Sequence, residues 1–309
     1  MLADLPCHVE ALDRWTVARE FGFGRGGRKN GRDQMTQLID DSLMEAFERD
    51  GAVCLRQAFA PEWIDLVAAG VAAELADPGP LAKDYTEPGA PGRFFGDLVM
   101  WQRIPEFREF AFHSPAAAIA GRAMRATKVN YYHDHLLIKE PGTLDVTPWH
   151  HDQPYYFVDG RQVCSIWLPL DPVSEATCVR FVAGSHNWGR RFAPRFFSDG
   201  EAYYDDAGAG LEPMPDFDAE ADRHRFLSWT LEPGDCILFH ALTIHGAPGN
   251  PSRHRRRAYA TRWMGDDARF AVRPGPISPP IEGHGLAPGD VMDCDHFPVV
   301  WRLEKDDSE

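Results

Sequence analysis

The tetrapeptide Trp149-His150-His151-Asp152 constrains this chain more than any other feature, because a second, distant segment has to meet it. His150 and Asp152 stand two apart, and along an extended chain side chains at i and i+2 leave on the same face. An imidazole and a carboxylate can therefore converge on one point. Ile244-His245-Gly246 lies far downstream. His245 completes the set only in a fold that brings its strand back beside the first. Two histidines and a carboxylate on one face of an ion, with the opposite face open, form the facial triad of non-haem Fe(II) oxygenases. Taken alone the His-x-Asp spacing is weak in a chain with 13 histidines and 47 acidic residues, where a lone His150 reads as an ordinary loop or core histidine.

The order of the remaining parts reverses that balance. Eleven positions after His245 stands Arg256, in Arg255-Arg256-Arg257-Ala258-Tyr259-Ala260, where a strand pattern begins. Arginine offers a planar, permanently charged fork that grips a carboxylate through two parallel hydrogen bonds. Arg255 and Arg257 face opposite to Arg256 on a strand, so only one parity looks inward. An oxygenase that uses 2-oxoglutarate needs such an anchor for the distal carboxylate, while the 2-oxo acid end chelates iron.

With these residues the chain resembles the phytanoyl-CoA dioxygenase family of Fe(II)/2-oxoglutarate-dependent oxygenases. The matching pieces run from Phe47-Glu48-Arg49-Asp50-Gly51-Ala52-Val53 through Trp149-His150-His151-Asp152 to Gly234-Asp235, Ile244-His245-Gly246 and Arg256. Arg180-Phe181-Val182-Ala183-Gly184-Ser185-His186 is similar to the family's strand-turn segment, with Ala183 in place of the usual proline. The resemblance covers about residues 41 to 265.

It implies a mainly β fold with helical decoration, a double-stranded β-helix (a cupin-like jelly-roll barrel). It also implies His150, Asp152 and His245 as iron ligands, Arg256 as the 2-oxoglutarate clamp, and Fe(II), 2-oxoglutarate and O2 as the reaction partners. Lys139 and Trp167 become 2-oxoglutarate neighbours or ordinary packing residues. His151 takes a position that can contact the co-substrate, or else a surface or positioning role. Ala247 departs from the hydroxyl residue often found there, which removes about one hydrogen bond, on the order of 1 kcal/mol. In the resembling halogenases a small residue replaces the carboxylate. Asp152 is retained here, so the implied reaction is hydroxylation of a small organic molecule with release of succinate and CO2. On the substrate side Tyr155, Arg180 and His135 are candidates, Arg180 for an anionic group or a structural salt bridge. Trp149, Tyr155, Tyr156 and Phe157 suggest an apolar wall. His240 is a satisfied strand-end histidine or a support for a ligand.

Two other classes compete. One is a catalytically silent jelly-roll binding module, which loss of a ligand or of the arginine would favour. The other is a different metalloenzyme, a cupin-type isomerase or a zinc hydrolase, which would not require the clamp.

The formal net charge of -15 argues against a nucleic-acid partner, since a phosphate backbone rewards a basic surface. It also disfavours anionic membranes. The longest apolar stretch, around Leu66 to Ala76, is too short to span a bilayer. Six scattered cysteines form no Cys-x-x-Cys pair, and Met1-Leu2-Ala3-Asp4-Leu5-Pro6 lacks the start of a signal peptide. A cytoplasmic location is the expectation. The oligomeric state is not legible.

Residues 1–33, Gly-rich and basic around Phe21 to Gly31, are expected to form a flexible extension before a single domain over 34–309. Helices are expected from Asp41 to Asp50, from Pro61 to about Ala76 and from Pro115 to Ala126, and a loop over 78–96. Ala52–Leu55, Lys128–Lys139, Cys164–Leu170, Val179–Val182, Leu227–Leu231, Cys236–Phe239 and Ala258–Met264 read as strands. If Lys139 faces the interior, then Tyr131, His133, His135 and Leu137 share its face. The insert 187–225 suggests a lid, and 266–309 a tail that wraps the barrel.

Overall fold

α1 (Asp41–Asp50) begins where the Asp40 carboxylate accepts the Leu43 N–H at 2.8 Å. It ends at Gly51, whose N–H returns to the Phe47 carbonyl at φ +78°. A side chain at Gly51 would also strike the His186 ring and Thr243, so glycine is required twice over. The chain then enters β1 (Ala52–Leu55), and Pro61 occupies the first turn of α2 (Pro61–Ala76).

Within 78–96, expected as loop, two short strands occur: β2 (Lys83–Asp84) and β3, which starts at Phe94 (Phe94–Leu98). Two helices follow, α3 (Pro105–His113) and α4 (Ala116–Ala123), the first of them not anticipated. The remaining strands are β4 (Lys128–Lys139), β5 (Thr147–His150), β6 (Val158–Asp159), β7 (Val163–Pro169), β8 (Arg180–Val182), β9 (Phe226–Leu227), β10 (Cys236–His240), β11 (His245–Ala247), β12 (Arg256–Met264), β13 (Arg269–Phe270) and β14 (Val299–Arg302).

This computed structural model describes residues 39–197 and 210–304. The expected extension over 1–33 and the centre of the 187–225 insert lie outside them. The described residues belong to the unit Leu38–Glu309.

An eight-stranded antiparallel sheet runs β1-β10-β7-β12-β4-β3-β2, with β14 also paired to β4; a second sheet runs β5-β11-β8-β9. Their facing sides share one core, to which the large sheet contributes Trp167, Ile237, Phe239, Ala258 and Ala260, and the small one Phe181, Leu227 and Ala247. The two sheets are separate hydrogen-bonded paths that pack face to face, as in a jelly roll. On its other face the large sheet is covered by helix: Phe107 of α3 stacks on Tyr259 with ring centroids 4.6 Å apart. No helix among the described residues is long and apolar enough to cross a membrane.

Strand parity assigns the inward residues with one exception. Arg256 pairs with Lys139, Ala258 with Leu137, Ala260 with His135 and Arg262 with His133, but Trp263 pairs with Tyr131. The extra residue, Tyr132, is a β-bulge that reverses the facing of what precedes it. Tyr131 therefore does not share the inward face. It packs among Trp101 and Trp263 on the helix side, its hydroxyl 3.4 Å from that of Tyr259.

The basic run at 253–257 is resolved by the same parity. Arg255 pairs with Glu140 at 2.6 Å and Arg257 with Asp171 at 2.7 Å, both away from the core that Arg256 enters. In the tail, β14 adds to the edge of β4, and Trp301 fills the space beside Gly121.

Candidate active site

His150, at the end of β5, and His245, at the start of β11, are register partners in an antiparallel pair, which sets their rings 4.2 Å apart. Each Nδ1 lies against a backbone carbonyl, His150 on Pro148 at 2.8 Å and His245 on Thr243 at 2.9 Å. An Nδ1–H donated there fixes the tautomer and leaves the Nε2 lone pair free for a metal. The chain turns after β5 and brings Asp152 to the same point, with Oδ1 3.6 Å from His150 Nε2 and 3.8 Å from His245 Nε2. All three residues are buried, and their ligand atoms lie within 4.8 Å of one another. Two imidazole nitrogens and one carboxylate oxygen suit a divalent ion.

Burial alone would raise the Asp152 carboxyl. The Arg262 guanidinium and the two histidines outweigh it and hold the group well below the usual carboxylate range. Ser165 Oγ donates to Asp152 Oδ2 at 3.1 Å. His245 is pushed down to about 3, chiefly by burial and then by His150, so it is neutral at pH 7 and able to ligate.

A cavity of about 290 Å³ opens on these atoms. Arg256 lies on its wall, buried, with Nη1 donating to the Thr177 carbonyl and Nε without a partner among the described residues. No carboxylate among the described residues pairs with it. Burial pulls its ionisation down to about 10. Trp167, His135 and Tyr155 line the same cavity. So does Thr147, the cross-strand partner of Ala247.

Three sequence candidates point elsewhere. Lys139 is fully buried, but its Nζ donates to the Asp145 and Pro248 carbonyls at 2.8 and 2.9 Å and sits over the Phe94 ring. Burial, and then Arg256, depress it to about 6. His151 turns away from His150 and Asp152 and accepts the Phe192 N–H through Nε2 at 2.9 Å. Arg180 stacks over Trp149 and pairs with Asp218 at 2.5 Å outside the cavity. If the cavity takes 2-oxoglutarate, as the resemblance implies, Arg180→Ala is expected to leave its affinity unchanged within about twofold and to cost no more than ~1 kcal/mol of stability. A tenfold loss of that affinity would contradict this placement. Of the expected aromatic wall, Tyr155 and Tyr156 line the cavity, whereas Trp149 and Phe157 do not. His240 also lies off the wall, its ring 5.2 Å from that of His186.

Several buried histidines make the fold acid-labile. His133 and His240 are pushed down to about 3 and His151 to about 4, in each case chiefly by burial. Unfolded histidine takes a proton near 6.5, so between about pH 3 and 6.5 the unfolded chain binds more protons and stability falls with pH. Glu74 and Asp134, raised to about 7 chiefly by burial, act in the opposite sense but are fewer. Metal-free protein is expected to be less stable at pH 5 than at pH 7 by on the order of 1 kcal/mol, a melting temperature lower by a few degrees. Thermal melts at the two values check this, and an equal or higher melting point at pH 5 would contradict it.

The family model for phytanoyl-CoA dioxygenase (PhyH) matches residues 47–258. A probable phytanoyl-CoA dioxygenase of Caenorhabditis elegans is 27% identical over 140 residues, 44% of this chain and 42% of that protein. The 1-deoxypentalenic acid 11-beta-hydroxylase of Streptomyces arenae is 30% identical over 156 residues, 50% of this chain and 48% of that protein. The chain thus spans under half the length of these curated relatives. Among solved structures, the non-heme alpha ketoglutarate dependent carbocyclase SnoK from nogalamycin biosynthesis shares the fold. Its TM-score is 0.68 at 22% identity, covering 86% of this chain and 98% of that one. EctD from S. alaskensis, solved with 2-oxoglutarate and 5-hydroxyectoine, gives 0.60 at 20% identity, covering 79% and 82%. With 212 of its residues inside the family's extent, the chain belongs to the phytanoyl-CoA dioxygenase family.

Proposed function

We propose that the protein is an Fe(II)- and 2-oxoglutarate-dependent dioxygenase that hydroxylates an unactivated C–H bond of a small organic molecule. The observation that carries the reading is the convergence of His150, Asp152, His245 and Arg256 on one cavity. Family membership and the hydroxylase of Streptomyces arenae support it. His150, Asp152 and His245 would hold iron. Arg256 would take the distal carboxylate of 2-oxoglutarate with its unpartnered edge, and Trp167 and Thr147 would flank it. When bound, iron and 2-oxoglutarate supply the O2-activating chemistry, with succinate and CO2 as by-products.

The chain's own residues orient the reactants and exclude water. Tyr155, Phe197 and Phe239 line the cavity beside the ligands and keep it apolar. A cavity of this size, shared with a co-substrate, favours a small or mid-sized substrate over a long one. Anaerobic addition of Fe(II) and 2-oxoglutarate together is expected to give a weak visible charge-transfer absorption that neither gives alone. Protein that retains no iron after desalting and develops no such absorption would sink the reading. A screen for substrate-stimulated succinate formation, with mass analysis of the product, then separates hydroxylation from desaturation or cyclisation.

A further inference from the structure

We propose that Arg262, helped by Ser165, fixes Asp152 as a one-oxygen ligand by occupying its far oxygen, so that only Oδ1 is offered to the metal. This rests on the metal-site reading above and concerns a residue outside it. Arg262 stands on the inward face of β12, and its two cross-strand neighbours are His133 on β4 and Ser165 on β7. Its guanidinium is pinned at two corners, Nε donating to the Tyr156 hydroxyl at 3.0 Å and Nη1 to the Ala260 carbonyl at 2.9 Å. The third corner, Nη2, lies 3.8 Å from Asp152 Oδ2. Ser165 Oγ donates to that same oxygen. Oδ1 faces the opposite way, toward the two histidine Nε2 atoms.

The two carboxylate oxygens thus have separate duties. At 3.8 Å the arginine acts through charge and not through a hydrogen bond, and the serine supplies the directional contact. Among the described residues Asp152 is the only carboxylate paired with Arg262. A carboxylate that is free to rotate can chelate a metal with both oxygens. Chelation would consume a coordination position that an open three-residue site has to leave for other ligands.

Affinity alone is a poor test. Removing a cation favours a dication, whereas freeing the carboxylate costs preorganisation, so the two effects oppose each other. The visible d–d absorption of Co(II), added as the metal alone, reports the number and geometry of its ligands, so a second carboxylate oxygen that displaces a water alters the band even where the total number is unchanged. Wild type loaded with Co(II) is compared with Arg262→Gln, Arg262→Lys and Ser165→Ala. The expected result is an altered band in Arg262→Gln, a smaller change in Ser165→Ala, and a partial return toward wild type in Arg262→Lys, which keeps the charge. Spectra of Arg262→Gln and Ser165→Ala that match wild type would overturn the proposal and leave the proposed function standing. A Lys variant as altered as the Gln variant would also overturn it, since charge would then not be the agent. If Arg262→Gln fails to fold, Ser165→Ala alone decides, because it removes a single hydroxyl. Wild type that binds no Co(II) would remove the metal site, and the proposal with it.

Discussion

Asp152→Ala is expected to reduce substrate-dependent succinate formation at least about 1000-fold and also to weaken the metal-free fold. Both effects follow from one carboxylate with two neighbours. Toward the cavity it supplies the only anionic donor of the three-residue set, so the two histidines that remain hold a dication poorly. Toward the sheet it balances Arg262, a buried cation with no other carboxylate partner among the described residues. Breaking a buried pair from one side leaves an uncompensated charge, which costs about 3 kcal/mol here and lowers the melting temperature by roughly 5–10 °C. The double variant Asp152→Ala/Arg262→Gln separates the effects, because it should recover most of the lost melting temperature and none of the activity. Succinate quantitation and thermal melts in the presence of a chelator read the two effects. Activity of Asp152→Ala within tenfold of wild type would mean that the carboxylate is not a ligand.

The features legible from sequence were those that depend on strand parity and loop chemistry. The opposite parities of Arg255 and Arg256 and the long alternation from Lys128 to Lys139 each translate into a facing that the sheet preserves. Parity fails where the backbone stops being regular. A bulge at Tyr132 sends Tyr131 to the helix side, and β5 ends at His150, so Asp152 reaches the site through a turn and not through alternation. Parity also gives a direction and not an end point. Lys139 leaves β4 on the inward face, yet its flexible stem carries the ammonium to two backbone carbonyls.

Arg262 was missed although its signal was present. Arg256, Ala258, Ala260 and Arg262 share one parity, and small residues between two arginines on an inward face leave room for buried guanidinium groups. An arginine within a strand reads by default as a surface residue, because burying its charge requires a partner that alternation does not reveal. Here the partner comes from the loop after β5, distant in sequence and brought close by the pairing of β11 with β5. Thr147 is a similar case, since its bearing on Ala247 appears only once those two residues are register partners.

Arg256→Met is expected to weaken 2-oxoglutarate binding about 100-fold or more while raising the melting temperature of the ligand-free protein. Arg256 is 5% exposed, no carboxylate among the described residues pairs with it, and its Nε lacks a partner. Lys139, its cross-strand neighbour, is also buried, and burial followed by the nearby guanidinium depresses it to about 6. An empty site therefore carries an unbalanced cation, which a carboxylate from a co-substrate would compensate. Methionine matches the stem without the charge, and such replacements of buried ionic groups gain about 1–4 kcal/mol in other folds. The sign of the effect thus reverses with ligand. Saturating 2-oxoglutarate with a metal present should raise the melting temperature of wild type and leave that of Arg256→Met nearly unchanged, because stabilisation by a ligand scales with its affinity for the folded state. Calorimetric titration and paired melts measure both halves. Unaltered 2-oxoglutarate affinity in the variant would remove Arg256 from the site, and a lower ligand-free melting temperature would mean that its bond to the Thr177 carbonyl outweighs the cost of burying the charge.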